Sequence, residues 1–134
     1  MSETNQSARC SCGNAPKLIF ACSGSSDVGH ISDLAARKLA AEGTGKMYCL
    51  AGVGGRVSGI IETTKAASAI LAIDGCPLDC AGKTLEEAGL MEFEHLRLTR
   101  LGMEKGKAPA TDERIDKVVS QARTQLTGCR RASD

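Results

Sequence analysis

At 134 residues the chain has the length of one domain, and a hydrophobic content of 42% is enough to build a core. A net charge of +1 gives no general attraction to nucleic acid or to a membrane surface, and with 2% aromatic residues there are few platforms on which bases could stack. No apolar run approaches the ~20 residues needed to cross a bilayer, and the polar N-terminus lacks the apolar stretch of a secretory signal, so the expected location is the cytoplasm, without nucleic-acid or membrane partners.

Residues 1–16 hold Ser, Asn, Gln and Gly without periodicity and read as a flexible tail. Lys17 to Cys22 (K-L-I-F-A-C) is the first strand. Ser23 to Asp27 is a turn rich in helix-capping residues. Val28, Ile31, Leu34, Ala35 and Leu39 then recur at the spacing of one helical face, and Gly43 suits the stop. Lys46 to Leu50 (K-M-Y-C-L) is a short second strand. Gly52-Val53-Gly54-Gly55 reads as too flexible to be helix or strand. A helix through Val57, Ile60, Ile61 and Thr64 follows, weakened by Gly59 by about 1 kcal/mol.

Ser68 to Ile73 is an apolar third strand, broken by Asp74-Gly75. Pro77 is predicted as the first residue of the next helix, where its fixed φ suits and its missing N–H is not needed. Leu78, Ala81, Leu85 and Ala88 share a face of that helix, and Gly89 ends it. Leu90 to Leu101 mixes apolar and charged residues and reads as a more exposed fourth strand. After a loop from Gly102 to Pro109, Thr111 caps a last amphipathic helix through Ile115, Val118, Val119, Ala122 and Leu126. The basic, polar end, 128–134, reads as a second tail, leaving one domain over 17–127.

Strands alternating with helices predict an α/β fold of three layers: a mainly parallel four-stranded sheet with helices on both faces and right-handed crossovers. Strands one and three are the most apolar and belong at the centre, which gives the order 2-1-3-4.

Seven cysteines are many for such a chain. The number is odd and the cytosol is reducing, so a disulfide framework is not expected. Cys22 closes strand one, Cys49 lies at the end of strand two, and Cys76 and Cys80 follow strand three. All four therefore belong to the carboxyl edge of one parallel sheet, the edge at which open α/β sheets bind ligands. Incidental cysteines have no reason to gather at one rim. Four thiolates suit a soft tetrahedral ion such as zinc, with sulfur–metal distances of about 2.3 Å. The C-x₃-C plus two distant single cysteines is not the paired C-x₂-C pattern of a zinc ribbon.

The segments I-D-G-C-P-L-D-C-A at 73–81, A-C-S-G-S-S-D-V-G at 21–29 and C-L-A-G-V-G-G at 49–55 together resemble the DGC-domain family of zinc-binding proteins. The family takes its name from the Asp-Gly-Cys triplet, here Asp74, Gly75 and Cys76, and the resemblance spans roughly Lys17 to Leu126. It implies metal binding through Cys22, Cys49, Cys76 and Cys80 and supplies no reaction, substrate or protein partner. L-G-M-E-K at 101–105 also looks family-like, without a chemical role.

The other candidates have plainer explanations. Cys10, Cys12 and Cys129 read as incidental exposed thiols outside the site. His30 reads as a surface helix residue and His95 as lying on an exposed strand face. Asp74 and Asp79 flank the cysteines, and capping is their ordinary role. Two alternatives to zinc stay open. One is a thiol-based redox or sulfur-transfer enzyme using Cys76 and Cys80, since thiolates at a helix N-terminus are reactive. The other is an iron–sulfur protein, because four thiolates also suit a cluster. The loop after strand one is superficially like that of small cysteine phosphatases, but Val28 stands where their oxyanion-holding Arg is required, and no Arg or Lys occurs between Cys22 and Arg37.

Overall fold

In a computed structural model, which describes residues 15–23 and 25–127, β1 (Lys17–Ala21) and β3 (Ala69–Asp74) run in parallel at the centre of the sheet, with Lys17 opposite Ala69 and Ala21 opposite Ile73. β2 (Lys46–Met47) pairs with the free side of β1 and β4 (Glu94–Arg97) with that of β3, so all four strands are parallel in the order 2-1-3-4. Every residue of β3 is buried. A strand covered on both faces needs apolar side chains on both, and A-I-L-A-I supplies them.

The period of two divides the core in two. Ile19, Ala21, Leu71 and Ile73 face one side, where α1 (Asp27–Ala41) and α5 (Asp112–Thr127) cover them with Val28, Ile31, Leu39, Val118 and Leu126. Leu18, Phe20, Ile70 and Ala72 face the other, against Val53, Ala81 and Leu85 from the remaining helices. The only tyrosine packs edge-on against Phe20 there, with ring centroids 6.2 Å apart. Lys38 with Asp116, and Arg123 with Glu42 at 2.9 and 3.0 Å, tie α1 to α5 at the surface.

Local signals set the helix ends. Ser26 Oγ accepts the N–H of Gly29 at 3.0 Å and caps α1, and Gly43 stops it at a φ of +84°. Thr111 Oγ1 accepts the N–H of Arg114 at 3.2 Å at the start of α5.

Four segments depart from the sequence expectation. The second strand is two residues long, because Cys49 already caps a helix, α2 (Leu50–Gly54). The glycines at 52–54 do not prevent that turn of helix: it is capped at its start and packed through Val53 into the core. Its end is held by Arg56, whose guanidinium collects the carbonyls of Val53 and Gly54 (both 3.1 Å) and of Glu87 (2.9 Å). The next helix, α3 (Ser58–Lys65), lies where expected. Pro77 does not begin α4, which runs Cys80–Glu87. Instead the N–H of Asp79 donates to the carbonyl of Cys76 at 3.3 Å, closing a turn with Pro77 in its second position, where a φ fixed near −65° is equally welcome. Finally, β4 is four residues long; Leu98–Leu101 winds into a 3₁₀ turn that buries Leu98, and Gly102 closes it at a φ of +81°. The L-G-M-E-K segment thereby acquires a structural role, with Met103 in the core.

No helix among the described residues is long and apolar enough to cross a membrane. Cys10, Cys12, Cys129 and the two predicted tails, apart from Ala15 and Pro16, lie outside the described residues.

Candidate metal centre

Parallel strands all point their carboxyl ends one way, and the four cysteines expected there follow those ends. Cys22 comes directly after β1, Cys49 caps α2 two residues after β2, Cys76 follows β3 by two residues, and Cys80 is the first residue of α4. Cys22 and Cys76 are half-buried, Cys49 and Cys80 exposed, and all four are free thiols.

Two sulfurs already accept backbone hydrogen bonds. Gly75 donates its N–H to Cys22 Sγ at 3.1 Å, and Gly52 donates to Cys49 Sγ at 3.3 Å. Burial pushes the Cys22 thiol above its ordinary value; the Gly75 N–H works against that rise, and the charge of Asp74 adds to it. Cys22 and Cys76 are near enough for their charges to interact. Among the described residues, however, no three cysteine sulfurs lie within 4.8 Å of one another. The thiols share one rim without being gathered on one point.

The Asp-Gly-Cys triplet has a physical reason at each position. Asp74 is 1% exposed, and its carboxylate accepts the N–H of Ala81 at 2.7 Å and of Gly82 at 2.9 Å, so it caps α4 from the end of β3. Gly75 passes so close to α1 that a Cβ would sit 2.7 Å from the carbonyl carbon of Val28. Only glycine fits there while still reaching Cys22 with its N–H.

The residue formally at the N-cap of α4, Asp79, makes no capping bond. It adopts a left-handed conformation, φ +56°, and its carboxylate receives the fork of Arg97 at 2.9 and 3.0 Å. That pairing holds the Asp79 carboxyl below its usual range. His95 stands beside it. Its Nε2–H donates to Asp74 Oδ2 at 2.7 Å, with Asp79 Oδ1 3.9 Å away, and its side chain is 17% exposed. The expectation of an exposed strand-face His95 is therefore corrected: the ring lies so close over Gly82 that a Cβ there would be 2.7 Å from it. His30, by contrast, is exposed on α1.

Asp74, Asp79 and His95 bring ligand atoms within 4.8 Å of one another, yet they are poor metal ligands as arranged. Both oxygens of Asp74 are taken by backbone and imidazole N–H groups, and both oxygens of Asp79 by Arg97. The group is a saturated polar network beside the thiols. Its signal in the sequence was the alternation E-H-L-R: two basic residues two apart on β4 fall on one face of the sheet, within reach of the two aspartates that precede Cys76 and Cys80.

The sequence pattern of the DGC domain matches residues 18–122. Among curated proteins, the Anaerobic and virulence modulator AnvM of Pseudomonas aeruginosa is 36% identical over 88 residues, covering 66% of this chain and 67% of AnvM. No solved structure matches the chain.

Proposed function

The chain belongs to the DGC-domain family, and from that premise we propose that it is a metal-binding protein of regulatory type that holds one zinc ion with the thiolates of Cys22, Cys49, Cys76 and Cys80. The observation that supports this most is the pair of backbone N–H groups aimed at sulfur, from Gly75 to Cys22 and from Gly52 to Cys49. A zinc ion with four thiolates carries a formal charge of −2, and donors of this kind lower the cost of holding it. The donor set fits a soft tetrahedral ion: Cys22, Cys49, Cys76 and Cys80 would hold it, and zinc so bound would supply a cross-link between segments that follow three strands. The regulatory part of the reading rests on the relative's description as a modulator.

A second reading, a thiol-based redox or sulfur-transfer enzyme using Cys76 and Cys80, needs only two free thiols, one of them at the first residue of a helix. An iron–sulfur cluster uses the same four thiolates.

The experiment is elemental analysis and a visible spectrum of protein purified without chelator or polyhistidine tag. One zinc per chain and a colourless solution are expected. Visible absorption with iron and sulfide identifies the cluster. No bound metal, with a Cys76–Cys80 disulfide forming under mild oxidation, favours the thiol enzyme.

A further inference from the structure

We propose that β4 is the positioning strand of this thiol site: Arg97, acting through Asp79, and His95, acting through Asp74, fix the conformation in which the Cys76–Cys80 segment presents its sulfurs. The proposal rests on the reading of those cysteines as metal ligands and goes beyond it, because neither Arg97 nor His95 is itself a ligand.

The Cys76–Cys80 segment is short, and beyond the turn bond from Asp79 to Cys76 and the packing of Cys76 on the core it has few contacts of its own. Pro77 and Leu78 are exposed, and the helical hydrogen bonds of α4 begin only with Asp79, whose carbonyl accepts from Lys83 at 2.8 Å. Its shape is set at both ends by carboxylates. Asp74, two residues before Cys76, locks the N–H groups of Ala81 and Gly82 immediately after Cys80. Asp79, immediately before Cys80, holds a left-handed backbone conformation that costs energy for any residue with a Cβ. Each carboxylate is gripped by a side chain from β4. The Arg97 fork fixes Asp79 in two directions at once, which a single point charge cannot do. The imidazole of His95 fixes Asp74.

Both grips come from one strand that carries no cysteine: Arg97 and His95, two apart on β4, reach the two aspartates from the same face of the sheet.

The test is cobalt(II) titration of the full chain in competition with a chelator, read by the thiolate-to-cobalt absorption, for wild type, Arg97→Met, Asp79→Asn, the double variant, Arg97→Lys and His95→Gln. Each single loss is expected to weaken cobalt affinity about 10- to 100-fold, the usual effect of removing a partner that orients a ligand. The double variant should be no weaker than the poorer single one, because both break one contact. Arg97→Lys should recover part of the loss. The melting temperature of the metal-free protein should move only slightly on changing Arg97 or Asp79, since the pair is partly open to solvent, with side chains 35% and 20% exposed. Undiminished cobalt affinity and an unchanged cobalt spectrum in Arg97→Met overturn the positioning role while leaving the metal reading intact. Failure of the wild type to bind cobalt overturns both.

Discussion

Asp74 Oδ1 lies 2.7 Å from the backbone nitrogen of Ala81, seven residues along the chain, so the last residue of a strand caps the helix that comes after it. The strand end, the turn and the helix start are thereby one mechanical unit, built around a carboxylate that is 1% exposed.

Replacing that carboxylate should be costly. Asp74→Ala leaves the N–H groups of Ala81 and Gly82 buried without a partner, and strands His95 as well. A loss of about 3 kcal/mol is expected from unpaired buried donors of this kind. Asp74→Asn, which keeps an acceptor, should lose less. Urea midpoints at unchanged m-value measure both; equal losses in the two variants would show that capping is not what Asp74 provides.

Glycine replacements should divide by position. Gly75→Ala drives a Cβ against the backbone of Val28, which cannot swing aside, and should destabilise by about 1–3 kcal/mol while freeing Cys22 for reaction with a thiol reagent. Gly59→Ala, in α3 with nothing within 4 Å of the new Cβ, should stabilise by up to about 1 kcal/mol. Thermal melts of the two variants, beside thiol-labelling rates for the first, decide the matter.

Acid should weaken the tie between α1 and α5. Hydrogen bonds from Arg123 and Thr44 depress the Glu42 carboxyl from 4.5 to about 2. A depressed carboxylate contributes stability above its unfolded value and loses it as pH falls through its folded one. Glu42→Gln should therefore melt lower than wild type at pH 6, with the difference closing between about pH 4.5 and pH 2. The site is on the surface, so salt should shrink the effect. A difference that stays constant down to pH 2 would assign the stability to something other than the ionised carboxylate.

Chelator treatment should loosen the rim and spare the sheet. The two buried faces of the sheet are large enough to hold the fold without metal, unlike those of a zinc finger. Hydrogen exchange is expected to quicken in the turns following β1 and β3 and in α2, which follows β2, and to remain slow within β1 and β3. Cys76→Ser should lower metal affinity and melting temperature together, and Cys129→Ser neither. Protection lost throughout the strands would make the metal a folding nucleus; no change at any of these three places would remove metal from these cysteines.

The central strands were legible because L-I-F-A and A-I-L-A-I are apolar at every position, as a strand covered on both faces must be. The helices α1 and α5 were legible from period and caps together. Three features were not. Leu50 reads as the end of a strand and Gly52 to Gly55 as too flexible for helix or strand, and the helix there exists because Cys49 caps it and Arg56 ties its far end to Glu87, a contact that only the fold brings about. Pro77 suits a helix start and a turn equally, and the left-handed Asp79 decided for the turn. The Arg97–Asp79 and His95–Asp74 pairs cross between strand and helix at separations of 18 and 21 residues, beyond the reach of any periodicity. For the site, the four cysteines were placed on the correct rim by topology alone, whereas their spacing there depends on side-chain directions that the order of elements does not encode.

The bond from Asp27 to the segment after β4 also bears on how the chain reaches this structure. Its carboxylate accepts the N–H groups of Gly106 at 3.0 Å and Ala108 at 2.9 Å, 79 and 81 residues later, so the first helix is fastened at its very start by almost the last loop to be laid down. Closing so long a loop gains little until β3 and β4 are already in the sheet. The clasp is therefore expected to shut on the native side of the folding barrier. Asp27→Asn should leave the refolding rate untouched and speed unfolding by the whole of its effect on stability, which stopped-flow refolding and unfolding arms can separate.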